Sequence, residues 1–360
     1  MWYNSLKGDQ NMKRIIKLSI VPVMLLALAS CGNKEEKKNY FTLWNDCEAI
    51  RTLTSYVEEV TNESSKYFIP KEDRIATFDM DGTFLGELYP TYFEYNLLEY
   101  RVLDDPSYKD KASDSEVLAA TQIREFVREG KKLPSGFDMI HAHAAAKAYS
   151  GMTLSEFDAY VKAYAETPVN GFTGMTYKES FYKPMLEIFD YLKDNDFTYY
   201  VVSGSDRFIC RALVDSIPID ASKVIGMDVV LKSDHQGDTD GVEYTYGLED
   251  TLIRTDELII KNLKTNKVKQ ITQEIGKVPV LSFGNSSGDS AMHNYCLQNS
   301  KHKSEAFMLI ADDDVRDHAN LVETAKRKAS WDENNYTIIS MKDDFKTIYG
   351  DGVVKVDFTF

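Results

Sequence analysis

Five short apolar runs, over residues 74–78, 197–202, 278–283, 306–311 and 336–341, are rich in β-branched and aromatic side chains and read as buried strands. Between the later runs lie segments with helical spacing, such as 205–216 and 317–328. Few arrangements accommodate strands that are apolar on both faces. Parallel neighbours need a crossover, and a helix supplies one while covering the sheet. The alternation predicts an α/β fold: a Rossmann-like, doubly wound parallel sheet.

The rhythm breaks once. After the first strand, residues 85–196 carry helical patterns over 90–102, 115–129, 137–149, 153–166 and 183–193. That is much longer than a crossover. It reads as an inserted helical cap domain with a net charge of about −7, leaving 40–84 and 197–360 as the catalytic core. A first helix is expected over 46–63, capped by Asn45 or Asp46. The polar stretch 228–256, rich in Gly, Asp and Tyr, is expected to be a hairpin or a mobile loop.

The formal net charge of −15 argues against a nucleic-acid partner, which needs a basic face. A small phosphate-bearing ligand stays compatible, because a metal ion and local donors can hold one phosphate in an acidic protein. The four cysteines lack zinc-ligand spacing, and those after Cys31 read as buried thiols.

At the start of the chain, Lys13, Arg14 and Lys17 precede an apolar run to Leu28, then Ala29, Ser30 and Cys31. This is the order of a signal peptide, and the run is too short to span a membrane. The stretch Leu28-Ala29-Ser30-Cys31 resembles the lipobox of bacterial lipoproteins. The resemblance implies that residues 1–31 are a leader whose Cys31 is acylated, with the protein exported and membrane-anchored in the periplasm or on the cell surface. Residues 32–39, polar and charged, would be a flexible tether.

The first strand runs directly into Asp79-Met80-Asp81-Gly82-Thr83. Two carboxylates at i and i+2 beyond a buried strand project toward the crevice where ligands bind in such sheets. Gly82 permits a tight turn or a close backbone approach. Asp79 can attack phosphorus if Mg²⁺ and local donors offset the repulsion between two anions. Asp81 is placed to protonate the leaving alkoxide and then to activate water.

This motif resembles the first motif of the haloacid-dehalogenase-like hydrolases, in the phosphatase branch with two aspartates. Three further segments follow in the order the resemblance implies. Ser203-Gly204-Ser205, after the strand 197–202, resembles the second motif, where Ser203 and the Gly204 backbone N–H, with Thr83 from the first motif, would bind phosphate. The segment 267–271 resembles the third, in which a lysine balances the charge on Asp79 and the phosphate; Lys264, Lys267 and Lys269 compete, and Lys267 is favoured by its place before a helix. Gly284-Asn285-Ser286-Ser287-Gly288-Asp289 resembles the acidic metal loop, with Asn285 where Asp is usual. The implied Mg²⁺ ligands are Asp79, Asp81, Asn285 and Asp289. The helical insert makes the chain similar to phosphoserine and phosphorylcholine phosphatases. The implied activity is hydrolysis of a small phosphomonoester through an aspartyl-phosphate. Transfer to an alcohol by the same intermediate and ligand binding on a decayed hydrolase fold are the alternatives.

For the leaving group, Glu87 follows Asp79 by eight residues, where the resemblance implies a contact to a substrate amine. Tyr89, Tyr92, Phe93 and Tyr95 cluster beside it; such rings suit a cationic head, though cap packing is the simpler use. Arg207 is a further candidate for phosphate or cap contact. His141 and His143, two apart, do not share a helical face and do not read as a zinc pair.

Overall fold

The computed structural model describes residues 38–360; the expected leader, Cys31 and most of the tether lie outside the described residues. Among the described residues no helix is long and apolar enough to cross a membrane. The strands are β1 (Ile75–Phe78), β2 (Phe172–Thr173), β3 (Thr198–Asp206), β4 (Val224–Ser233), β5 (Leu252–Ile260), β6 (Leu281–Gly284), β7 (Glu305–Ile310), β8 (Thr337–Ser340) and β9 (Val354–Lys355). Seven form one sheet in the order β5-β4-β3-β1-β6-β7-β8, while β2 and β9 pair separately. Every pairing in the large sheet is parallel except β4 with β5.

All four residues of β1 are buried, as a central parallel strand requires. The chain passes from β1 to β3 on one side and reaches β6 on the other, so the order reverses at β1. The crevice beyond its carboxyl end is where ligands bind in such sheets. Register across β1, β6 and β7 is held by an aromatic stack. Phe78 pairs with Phe283 and Phe283 with Phe307, and their ring centroids lie 4.3 and 4.7 Å apart. A one-residue slip would turn each ring to the opposite face of the sheet.

The helices are α1 (Glu48–Thr61), α2 (Phe93–Glu99), α3 (Asp114–Glu129), α4 (Phe137–Ala148), α5 (Leu154–Ala165), α6 (Lys183–Asp194), α7 (Arg207–Val214), α8 (Thr265–Gln270), α9 (Ser290–Leu297), α10 (Leu321–Glu333) and α11 (Met341–Asp344). All five expected strands and the helices of the long insert appear within a few residues of their expected places. The first insert helix is shorter, with α2 giving way to a π-helical turn at Tyr100–Asp104. Helix α1 is not capped by Asn45 or Asp46: Cys47 holds the cap position without a side-chain bond. Asn45 Nδ2 donates to the Asp343 carbonyl, and Asp46 pairs with Arg51. Helix α10 starts four residues later than the pattern predicts, because Asp317 is buried as the acceptor of the Tyr349 hydroxyl at 2.8 Å. Cys47, Cys210 and Cys296 are buried free thiols.

The polar stretch expected as a hairpin or loop belongs to a hairpin that begins earlier, at Val224, and returns through β5 to Ile260. β5 is an edge strand whose Asp256, Glu257 and Ile259 face solvent, so it lacks the apolar continuity of a buried strand. One residue ties this hairpin to the rest. Arg254 is fully buried, grips Asp206 at 2.6 and 3.3 Å, and lies 4.0 Å over the Phe157 ring of α5. Removing one partner of such a pair leaves an uncompensated buried charge. Arg254→Ala is expected to cost about 3–5 kcal/mol by denaturant unfolding. An apolar replacement of both Arg254 and Asp206 is expected to recover most of that loss.

Candidate active site

Where β1 ends, the Asp79 N–H donates to the Phe283 carbonyl at 2.9 Å, and the chain folds into a tight turn. The N–H groups of Thr83, Phe84 and Leu85 all point to the Met80 carbonyl. Gly82 is required twice over. Its φ is +76°, and a Cβ there would stand 1.9 Å from Asn285 Nδ2 and 2.5 Å from Glu87 Cδ. Thr83 sits beneath the turn, its Oγ1 3.4 Å from Asp79 Oδ2 and 3.5 Å from Asn285 Oδ1.

Of the three competing lysines, Lys264 and Lys269 are exposed, and the buried one is Lys267, on α8. Its Nζ lies 2.5 Å from Asp79 Oδ1 and 2.6 Å from Asp289 Oδ1. Burial disfavours its charged form, but Asp289 and Asp79 outweigh that and hold it well above the usual lysine range. The other oxygen of Asp289 accepts from the Asn285 and Ser286 N–H groups and the Ser286 hydroxyl, at 3.0–3.2 Å. Asp289 thus anchors Lys267 with one oxygen and its own loop with the other. Gly284 allows this close return; a Cβ would meet Asp289 Cβ at 2.6 Å.

Asp81 accepts from Ser205 Oγ at 2.7 Å, and Ser203 Oγ stands 3.4 Å away. Ser203 is fully buried and takes the Ser205 N–H, so the hydroxyl that lines the cleft from this motif is that of Ser205, beside Gly204. The pattern contained Ser205 but no cue to prefer it. Glu94 and Lys261, which meet at 2.7 Å beside the site, carried no cue at all, being 167 residues apart. Glu94 also accepts the Asp206 N–H at 3.2 Å. Burial works to raise Glu94, but Lys261, His141 and the Asp206 N–H together hold it below the usual carboxylate range.

The cleft of about 480 Å³, mouth included, is lined by Asp79, Asp81, Lys267, Asn285 and Gly204 from the core and by Glu87, Tyr92, Glu94, Tyr95 and Asp138 from the long insert. Of the aromatic cluster, Tyr92 and Tyr95 reach it. Tyr89 and Phe93 are buried against Tyr177. Arg207 does not reach it and pairs instead with Asp228 and Glu274, at 2.7 and 2.5 Å. His141 is buried with Nε2 3.4 Å from the Glu94 carbonyl, and His143 is exposed, so the two point apart.

No family model matches the chain, and none of the curated proteins does. Solved structures are similar to it in fold. A conserved, functionally unknown protein from Anaerococcus prevotii superposes with a TM-score of 0.50 at 15% identity, over 84% of this chain and 94% of that one. A phosphoserine phosphohydrolase-like protein from Francisella tularensis gives 0.40 at 12%, over 74% and 94%. A HAD family hydrolase from Salmonella enterica serovar Typhi gives 0.38 at 12%, over 76% and 68%. What the likeness shows is the fold: a Rossmann-like, mostly parallel α/β sheet with Asp79 at the switch point of the strand order.

On this scaffold the donor set suits Mg²⁺. Asp79 Oδ2 and Asn285 Oδ1 share one neighbour, the Thr83 hydroxyl, while Lys267 occupies the opposite oxygen of Asp79. Hard oxygen donors on neighbouring turns match a small divalent cation. The protonation of the site points the same way. Burial, then Asp289, pushes Asp79 up to about 7. Burial, then Glu94, raises Asp81 to about 6 against the Ser205 bond, and burial with Asp81 and Asp79 raises Glu87 to about 8. Carboxyls with raised folded values stabilise the protein below their unfolded values near 4 and lose that contribution as pH rises through about 6 to 8. Thermal melts in EDTA are therefore expected to fall from pH 5 to pH 8. Added Mg²⁺ is expected to restore more at pH 8 than at pH 5, because protons compete with it.

Proposed function

We propose that this chain is an exported, lipid-anchored, Mg²⁺-dependent phosphomonoesterase that works through an aspartyl-phosphate. The observation that carries the reading is the Lys267 ammonium set between Asp79 and Asp289, beside an Asp81 held by Ser205. A lone buried carboxylate would repel a phosphate. Here Lys267 offsets one negative charge, and Mg²⁺ held by Asp79 and Asn285 would supply the remaining compensation, leaving Asp81 free to carry its proton.

In the first half-reaction an Asp79 carboxylate oxygen attacks phosphorus, the bond from phosphorus to the ester oxygen breaks, and protonated Asp81 gives its proton to that oxygen. In the second, Asp81 takes a proton from water as the water oxygen attacks phosphorus. The acyl-phosphate bond breaks, freeing inorganic phosphate and restoring Asp79. A value near 6 suits a group that must give and take one proton at neutral pH. Ser205 Oγ, the Gly204 backbone and Lys267 line the place where phosphoryl oxygens would sit. Above it, Tyr92, Tyr95 and the exposed Asp138 suit a small ester with a cationic or zwitterionic leaving group, of the phosphoserine, phosphocholine or phosphoethanolamine kind.

The test is phosphate release from a panel of such esters. Release is expected to need Mg²⁺, to fall by at least about 10³-fold in Asp79→Asn, as when a covalent nucleophile is lost, and by about 10²–10⁴-fold in Asp81→Asn. Turnover that survives Asp79→Asn would sink the reading. For the anchor, Cys31→Ala is expected to move the protein from the membrane to the soluble fraction on fractionation of cells; an unchanged distribution would remove the lipid from the proposal.

A further inference from the structure

We infer that Glu87 is a positioning residue of the cation site: it holds the Asn285 amide with its carbonyl oxygen turned inward. The inference rests on the Mg²⁺-dependent reading above and deepens it. An amide carries an acceptor at one end and two donors at the other, so something must decide which end faces the ion. Asn285 Nδ2 donates to Glu87 Oε1 at 3.0 Å. Its Oδ1 thereby lies on the other side, 3.5 Å from Thr83 Oγ1, the same hydroxyl that stands 3.4 Å from Asp79 Oδ2. Without an acceptor beside Nδ2, the inward and outward settings of the amide would compete.

The contact is built into the turn that carries the reacting aspartates. The space a Cβ of Gly82 would need is filled by Asn285 Nδ2, Glu87 Cδ and Glu87 Oε2. Glu87 and Asn285 are thus packed against the residue that follows Asp81.

The role is that of an outer partner to a ligand. A carboxylate one bond away from a ligand tunes the ion through that ligand, and loss of such outer partners commonly weakens metal affinity about 10–100-fold. On this reading Glu87 faces the metal shell and is not a hook for a substrate amine.

The experiment is calorimetric titration of the full-length protein with Mg²⁺ alone, without substrate. It compares the unaltered chain, Glu87→Gln, Asn285→Asp and the double variant Glu87→Gln/Asn285→Asp. Thermal melts in EDTA check that each is folded. Glu87→Gln is expected to weaken Mg²⁺ binding about 10–100-fold. The double variant exchanges donor and acceptor across the contact, so it is expected to recover most of the affinity. Asn285→Asp alone is expected to bind Mg²⁺ at least as tightly as the unaltered chain. Two results would overturn the assignment: a Kd for Glu87→Gln equal to that of the unaltered chain, or a double variant no better than Glu87→Gln. An unaltered chain that takes up no Mg²⁺ would remove the metal-dependent reading as well, which separates the two failures.

Discussion

A buried ammonium between two buried carboxylates is the interaction on which the rest of this site depends. Lys267 touches Asp79 on one side and Asp289 on the other. Each acid alone would be costly to ionise there, and the pair would repel each other. The lysine makes a charged Asp79 easier to tolerate inside the protein while leaving its second oxygen toward the Thr83 hydroxyl. It also ties three separate strand ends together, because Asp79 follows β1, Asp289 follows β6, and Lys267 lies on the helix that follows the hairpin. A buried ion pair is weak evidence for stability by itself. Its meaning here comes from where it lies, at the reversal of strand order.

That position is set by packing that has no chemistry of its own. The stacked rings of Phe78, Phe283 and Phe307 fix the register of β1, β6 and β7, and the bond from Asp79 N–H to Phe283 carbonyl extends that register by one residue. Asn285 and the loop to Asp289 therefore emerge beside Asp79. On the other side, β3 brings Ser205 to Asp81. The cover is held through charge: Glu94 of α2 binds Lys261 and the Asp206 backbone, and Asp206 binds Arg254 of β5. The roof of the cleft and the segment carrying Ser205 thus share partners, and neither can shift without disturbing the other.

Much of this was legible in the chain itself. The five core strands are continuous apolar runs because both faces of a parallel sheet are buried, and that signal is local. The two aspartates, the Ser-Gly turn and the acidic loop stand out because each follows such a run. The edge strand β5 was hard to read as a strand because half of its residues face water, and α10 began late because Asp317 was drawn into a buried bond with Tyr349.

The sequence by itself determined the α/β class, the long insert and the identity of the carboxylates beyond β1, because these depend on spacing along the chain. Only the tertiary structure decided which lysine meets Asp79, that Ser205 rather than Ser203 presents its hydroxyl to the cleft, that Asp289 anchors both Lys267 and its own loop, and that Arg207 turns away to Asp228 and Glu274. The physical reason is the same in each case. A side chain's partner is settled by which strand ends register brings together, and those ends lie as far as 188 residues apart in the chain.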